Sequence, residues 1–283
     1  MSIGFYRLLF FLRYNFRCKI VVGVGIVLME HRTKFIDFNC DLAQVSDIGE
    51  EDKGLGLIDY VSSVNIACGF HSGNPLAISN AIQHCRFKNK VVGAHIGLPD
   101  TISDVASLSE DAIEAIVLYQ LGALDSFAKA NSLNIEHVRP HGYMYQLMSE
   151  NLEFTTSVAK AIRKFNKWLL LYGPAGDVLE KAGAEAKLNV AREVVLNMPY
   201  NSDGLINFSA TPISDNELLI SKLKRLIYHS DVEVEQGQFV KINFDTIHFS
   251  TNENVIDFLK EASQIVSPRP VNFNNAAASG WVE

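Results

Sequence analysis

The sequence predicts an α/β protein built as a closed (β/α) barrel, and three observations predict it. From Lys34 onward, short β-like runs alternate with helical segments, which implies a parallel sheet with right-handed crossovers. Seven such units fit into roughly 230 residues, which suits a closed barrel better than an open sheet. Most of the unusual polar residues fall at the carboxyl ends of strands, where α/β barrels place their chemistry.

The elements follow in order. Phe35 to Cys40 reads as the first strand and Tyr60 to Ala67 as the second. A helix begins at Asn74-Pro75, because asparagine caps and proline suits the first helical position, and it runs to about Lys88. Lys90 to His95 is the third strand. Ser107-Leu-Ser-Glu110 offers a capping box for a long helix toward Ala130, in which Gly122 is expected to serve close helix–barrel packing. Ile135 to His141 is the fourth strand, with Tyr143 and Tyr145 placed to reach a pocket, begin a helix or join the core. A helix over Glu150 to Phe165 leads to a fifth strand at Trp168 to Tyr172. Gly173-Pro174 turns into a short helix, and Leu188 to Val195 is the sixth strand. Asn197 to Pro212 looks irregular, Ser214 to Tyr228 helical, Phe239 to Phe249 is the seventh strand, and Asn254 to Ile265 the last helix. No low-complexity linker divides the core. The expected organisation is an N-terminal extension over 1–33, one barrel domain over 34–267 and a loose tail over 268–283.

With 48% hydrophobic and 20% charged residues, the 283-residue chain has an ordinary soluble composition. Its formal charge is −7 and no basic stretch alternates with aromatics, so nucleic acid is not an expected partner. Cys18, Cys40, Cys68 and Cys85 form no C-x-x-C pair, which fits buried, inert thiols in a reducing cytosol. Near the start, Arg7 and Arg13 interrupt an aromatic run, and the apolar run Ile20 to Met29 is far short of the ~20 residues of a spanning helix. It resembles a signal peptide, but Glu30-His-Arg-Thr-Lys34 follows without a small-residue cleavage site. A start at Met29 is the alternative. It would remove Arg7, Arg13, Arg17 and Lys19 and take the charge to −11.

Three histidine motifs carry most of the functional information. They are Asn65-Ile-Ala-Cys-Gly-Phe-His71-Ser-Gly-Asn-Pro75, Gly93-Ala-His95-Ile-Gly-Leu-Pro-Asp100 and His137-Val-Arg-Pro-His141-Gly-Tyr-Met-Tyr145. Each histidine sits at or just past a strand end, so the three point to one barrel mouth. Asp37, Asn39 and Asp41 alternate along the first strand and share one face. His248 ends the seventh strand. Asp41, or Asp37, with His71 and His95 makes a two-histidine, one-carboxylate set that suits Zn²⁺ or a similar ion. A metal-free arrangement is equally coherent: a carboxylate such as Asp41 activates water and a histidine protonates the leaving nitrogen. Arg139 and Arg192 are candidates to hold a substrate carboxylate, and an ion-paired arginine is the plainer account of Arg139. No G-x-x-x-x-G-K-[ST] pattern occurs, so this chain shows no standard way of binding ATP.

These residues resemble those of the LamB/YcsF family, the A subunit of prokaryotic 5-oxoprolinase. Asp37-Phe-Asn-Cys-Asp41-Leu is similar to the family's D-[LF]-N-x-D-L, and Asn65 to Gly73 matches N-I-A-C-G-F-H-x-G. Gly93-Ala-His95 with Pro99-Asp100, Tyr119-Gln-Leu-Gly-Ala-Leu124 and His137 to Tyr145 resemble three further family motifs, in the family's order. The resemblance runs from about residue 34 to 260. It implies a barrel of the sugar-deacetylase type, usually seven-stranded, and ATP-coupled opening of 5-oxoproline to glutamate together with B and C subunits. Carried onto this chain, it makes Asp41 a base or ligand, with Asp37 as a second candidate carboxylate. His71 and His95 become ligands or acids, and His141 a stabiliser of the carbonyl oxygen. Asn39, Asn65, Arg139, Arg192 and His248 are then the expected substrate-binding set, with ATP reaching the reaction through the partner subunits.

The departures from the family pattern are specific. D-L-G-E becomes Asp41-Leu-Ala43-Gln44, and H-A-G-D becomes His71-Ser-Gly73-Asn74, so two carboxylates are lost. F-G-R-R is replaced by Thr101-Ile-Ser-Asp-Val-Ala, and the lysine of K-P-H-G is Arg139. A-D-R reads Leu196-Asn-Met198 and H-G-D reads His248-Phe-Ser250. Two alternatives therefore stand beside a working lactam hydrolase. One is a diverged relative that only binds a ligand or partner, and the other is a metal-dependent amidase or deacetylase with another substrate.

Overall fold

The computed structural model describes residues 36–99, 102, 105, 108–234, 237–250 and 255–271. The expectations for the N-terminal extension, Cys18, Ser107 and most of the tail lie outside these residues. Seven parallel strands close into a barrel: β1 (Asp37–Leu42), β2 (Ser63–Ala67), β3 (Val91–Ile96), β4 (Ile135–Pro140), β5 (Leu170–Pro174), β6 (Val190–Val195) and β9 (Thr246–Phe249). β9 closes it by pairing with β6 on one side and β1 on the other. Helices α1 (Pro75–Lys88), α2 (Glu110–Ala130), α4 (Leu152–Phe165), α5 (Asp177–Ala186), α6 (Asn216–His229) and α7 (Val255–Ile265), with the shorter α3 (Gly142–Glu150), connect the strands. Among the described residues no helix is long and apolar enough to cross a membrane.

Local chemistry explains the boundaries. Asn74 caps α1, its side-chain oxygen accepting from Leu76 and Ala77 N–H at 3.0 Å, with Pro75 at the first position. Ser109 caps α2 by accepting from Ala112 N–H. The helix expected over 150–165 is α4, which Asn151 caps by accepting from Phe154 N–H; α3 precedes it as a separate helix and ends where Asn151 leaves helical geometry. The expected seventh strand also divides. β8 (Phe239–Lys241) pairs antiparallel with β7 (Asp231–Glu233), while β9 alone enters the barrel. Asp245 stands at the break, where its carboxylate turns back to Arg192. Gly122 does not serve close packing: a Cβ added there would meet nothing within 4 Å.

The inside of this barrel is polar. Along β1, Phe38, Cys40 and Leu42 face the helices and join the large apolar core, while Asp37, Asn39 and Asp41 point toward the axis. β2 sends Ser63 and Asn65 inward, β4 His137 and Arg139, β6 Glu193, and β9 Thr246 and His248. Ordinary barrel cores are layers of branched apolar side chains. Here hydrogen bonds satisfy most of the inner polar groups, and burial of the outward faces against helices supplies the apolar core. Leu170, Tyr172 and Ala191 form a small separate apolar cluster on β5 and β6, against which Val271 packs.

Candidate functional site

The inner residues form two tiers beneath a mouth. At the floor, Asp37 is fully buried, with all its acceptor capacity taken by hydroxyls. Ser62 donates at 2.6 Å, Ser63 at 2.8 and 2.9 Å, Thr246 at 2.7 Å and Tyr172 at 3.2 Å. Burial raises its pKa, and the hydroxyl donors only partly oppose this. Asp37 cannot meet a substrate, which corrects its expected catalytic role and separates it from Asp41.

Asn39, Asn65 and Glu193 form the middle tier, none of them exposed. Asn39 Nδ2 donates to Glu193 Oε1 at 3.0 Å and to Thr246 Oγ1 at 2.7 Å. Its Oδ1 accepts from Asn65 Nδ2 at 2.8 Å and from His248 Nδ1 at 2.8 Å. Asn65 Nδ2 also donates to Asp41 Oδ1 at 2.9 Å, and Arg139 Nε donates to Glu193 Oε2 at 2.8 Å. The two asparagines, expected to bind substrate, instead hold Asp41 and His248 from below. Arg139 is a buried ion pair with Glu193; its Nη1 stands 3.7 Å from Asp41 Oδ1 and its guanidinium lies 4.6 Å over the Tyr145 ring.

The mouth holds Asp41, His71, His95, His141 and His248. His95 Nδ1 donates to the Arg139 carbonyl at 2.9 Å, so in the neutral ring its Nε2 carries a lone pair. His248 Nδ1 donates to Asn39 Oδ1, which leaves the same lone pair on its Nε2. Both Nε2 atoms face Asp41 Oδ2, at 3.4 and 3.5 Å. His141 Nδ1 lies 3.0 Å from His95 Nε2 and donates to it. The His71 ring stacks on His141 with centroids 4.0 Å apart, and neither of its buried nitrogens has a partner. Among the described residues, one triad brings its donor atoms within 4.8 Å of one another: His71, His95 and His141. In this triad His141 takes the place that the sequence expectation gave to Asp41, which stands 3.4 Å from His95 Nε2 but is not one of the three.

Local packing fixes these rings. Gln120, in the middle of α2, donates from Nε2 to the Gly97 carbonyl at 2.9 Å and accepts Gly97 N–H on Oε1 at 2.8 Å, clamping the turn after His95. A Cβ on Gly97 would run into the His71 ring, so only glycine lets that ring lie there. Asp52 accepts from Ala43 N–H at 2.6 Å and Ser72 donates to the Ala43 carbonyl at 3.3 Å, tying the loop after Asp41 to the loop after His71. Asn74, where the family has aspartate, is used up as the α1 cap, and its Nδ2 donates to the Asp47 carbonyl. Gln44, the other lost carboxylate, has a buried Nε2 with no partner.

Arg192 is not part of the cluster. It neighbours Glu193 on β6, so the two-residue period sends it to the opposite face. There it donates to Asp245 from Nε and Nη2, at 2.8 and 2.9 Å, and reaches Glu180 at 3.4 Å. The expected substrate contact is therefore an outer ion pair. Glu193 and His137 were not among the residues expected at the site. His137 shares a strand face with Arg139 and His141, which is the signal that marks it; Glu193 carries no motif. The free thiols Cys40, Cys68 and Cys85 are buried, and burial pushes all three up, Cys85 to about 12, so none is a thiolate nucleophile at neutral pH.

Burial also sets the charges at the mouth. It pushes His71 and His137 down to about 3, holds His95 well below its usual range, and lowers His141 and His248. Burial alone would raise Asp41, but the His95 and His248 rings, the Arg139 guanidinium and the Asn65 amide around it outweigh that and hold the carboxyl well below the usual carboxylate range. At neutral pH the mouth presents one carboxylate, 17% exposed, among neutral imidazoles. Groups with depressed folded pKa values stabilise the fold above their unfolded pKa, and that stability is lost as pH falls. The Tm is therefore expected to be flat between about pH 7 and 8 and to fall steeply from about pH 6.5 toward 3. His137 alone costs about 2 kcal/mol at pH 5, because its unfolded form then binds the proton. Asp37, Asp52 and Glu136, whose pKa values burial raises, act in the opposite direction, three groups against the five histidines and Asp41. Calorimetry from pH 8 to 4 checks this; an unchanged Tm between pH 7 and 5 would show that these histidines already carry protons in the fold.

A closed parallel barrel with a buried acid–histidine cluster at the carboxyl ends of its strands defines an α/β-barrel protein with a site suited to proton transfer or metal binding. The chain belongs to the LamB/YcsF family, whose model matches residues 36–278. It is 33% identical over 237 residues to a protein of Geobacillus thermodenitrificans named as the A subunit of 5-oxoprolinase, with 80% of this chain and 91% of the relative covered. The like-named Bacillus subtilis protein is 34% identical over 221 residues, covering 75% and 85%. Among solved structures, the lactam utilization protein from Thermus thermophilus superposes with a TM-score of 0.77 at 30% identity, covering 84% of this chain and all of that one.

Proposed function

We propose that this chain is the A subunit of a 5-oxoprolinase, opening the 5-oxoproline lactam to L-glutamate with ATP supplied through partner B and C subunits. The observation that carries this reading is the convergence of the Asp41 carboxylate with Nε2 of His95 and of His248 at the mouth, at 3.4 and 3.5 Å. Relatives named as 5-oxoprolinase A subunits and a solved lactam utilization protein of the same fold support the substrate class. A five-membered lactam is a stabilised amide, so its opening needs an activated carbonyl, a base for water and a proton for the leaving nitrogen. Asp41 is the reachable ionised carboxylate and takes the proton from water. His95, tied to the Arg139 carbonyl through Nδ1, takes that proton from Asp41 at Nε2, 3.4 Å away, and passes it to the leaving nitrogen. His141, part-exposed at the start of α3, donates from Nδ1 to the developing oxyanion in place of His95.

The donor set also fits a divalent ion such as Zn²⁺. His71 has two buried nitrogens without partners, and His95 has its far nitrogen anchored to a carbonyl, as metal-binding histidines do. His71, His95 and His141, with Asp41 beside them, would hold it. Such an ion polarises an amide carbonyl and lowers the pKa of bound water.

The test is to mix the purified chain with B and C subunits, 5-oxoproline and ATP and to measure glutamate, using a proven 5-oxoprolinase of the same composition as control. Glutamate that depends on this chain is the expected result. None, in the presence of an active control, removes the 5-oxoprolinase reading. Elemental analysis of the native protein decides the metal: a stoichiometric ion lost in His71→Ala is expected, and its absence together with insensitivity to chelator removes it.

A further inference from the structure

We propose that His137 is a positioning residue that sets the orientation of Asp41 through the side-chain amide of Asn65. This rests on the reading of Asp41 as the working carboxylate. His137 Nε2 stands 2.8 Å from Asn65 Oδ1, and a carbonyl oxygen only accepts, so the imidazole donates from Nε2. Asn65 then has its two amide hydrogens left, and they go to Asn39 Oδ1 and Asp41 Oδ1. A flipped Asn65 would set its oxygen against both of those oxygens. Asn39 cannot turn to relieve this, because its own amide hydrogens are committed to Glu193 and Thr246. The proton on His137 Nε2, together with the Asn39 and Asp41 oxygens, thus holds Asn65 in the one orientation that delivers a hydrogen bond to Asp41.

Packing keeps the His137 ring in place. Tyr172 stacks on it with centroids 4.2 Å apart and planes within 16°. On β3, a Cβ at Gly93 would fall inside the imidazole, so the absence of a side chain there makes the room it occupies. His137 Nδ1 is buried without a hydrogen-bond partner, so no protein acceptor competes to hold the proton on that nitrogen. The ring is fully buried, a tier below Asp41, and touches nothing that enters the mouth from solvent. It therefore acts through Asn65 and is not itself a catalytic group.

Two measurements test this. In the native protein, ring ¹⁵N shifts report the tautomer directly, with the His137 signal assigned by its loss in His137→Gln. The expected result is protonated Nε2 and bare Nδ1 throughout about pH 5 to 8. A proton on Nδ1 would overturn the proposal, and this readout needs neither substrate nor partner subunits. In the glutamate assay, His137→Phe keeps the ring volume but removes the donor, and kcat is expected to fall about thirtyfold with KM within about threefold. His137→Gln restores a donating amide and is expected to recover most of that loss. Equal kcat in His137→Phe and the native chain, or equal loss in both variants, would make His137 a packing residue only. If the native chain itself yields no glutamate, the functional reading fails, and the tautomer still decides how Asn65 is held.

Discussion

Replacing Asp41 with asparagine is expected to lower kcat for lactam opening by about a thousandfold or more while leaving the fold as stable as before. The catalytic half follows from reach and charge. Asp41 is the ionised carboxylate at the mouth, whereas Asp37 and Glu193 are wholly buried below it. Loss of a general base removes about 10² to 10⁴ in rate, and here no other carboxylate in the cluster can take over. The stability half follows from the hydrogen-bond geometry. An asparagine in place of Asp41 would still accept from Asn65 through its one oxygen, and its new amide would donate toward the bare Nε2 of His248. That exchange offsets the lost attraction to Arg139, 3.7 Å away. Glutamate assays and calorimetry on Asp41→Asn check both halves. Activity within about tenfold of the native chain would place the base elsewhere.

The second large effect is on stability. Glu193→Gln is expected to destabilise the fold by about 3 kcal/mol, which lowers Tm by roughly 6–12 °C for a domain of this size. Both carboxylate oxygens are used by donors that cannot become acceptors: Asn39 Nδ2 on Oε1 and Arg139 Nε on Oε2. Glutamine offers one oxygen, so one donor faces an amide N–H. Arg139, 6% exposed, also loses its strongest counter-charge. Removing both charges, in Arg139→Met with Glu193→Leu, avoids the stranded guanidinium and is expected to recover most of the loss, since buried pairs replaced by apolar groups are often neutral. Urea unfolding of the single and double variants measures this; a Glu193→Gln protein as stable as the native chain would mean that the pair carries no weight.

Much of the mouth was legible in the chain because barrel geometry ties strand ends to one face. Asp41, His71, His95, His141 and His248 could be placed together from their positions along the strands, and the capping signal at Asn74-Pro75 located the start of α1 to the residue. What escaped reading has a common cause. Inside a polar barrel, hydrophobic alternation no longer says which face looks inward, since both faces are buried. Arg192 and Glu193 are adjacent, and nothing local says which of them turns to the axis. Depth is equally silent: Asp37 and Asp41 share a face, yet one lies on the floor beneath four hydroxyls and the other at the mouth. One departure from the family's charged positions is absorbed in three dimensions. Asn74 serves as a helix cap, and the inner network of Asn39, Asn65, Arg139 and Glu193 that supports Asp41 is complete.

The central proposal is that the cluster at the barrel mouth is where the lactam binds and reacts. A crystal structure of the chain with 5-oxoproline, free or in complex with the B and C subunits, tests it most directly. The lactam carbonyl is expected within hydrogen-bond distance of His95 or His141 and beside Asp41. A lactam seated instead in the outer groove lined by Arg192, Glu180 and Lys241 would contradict it.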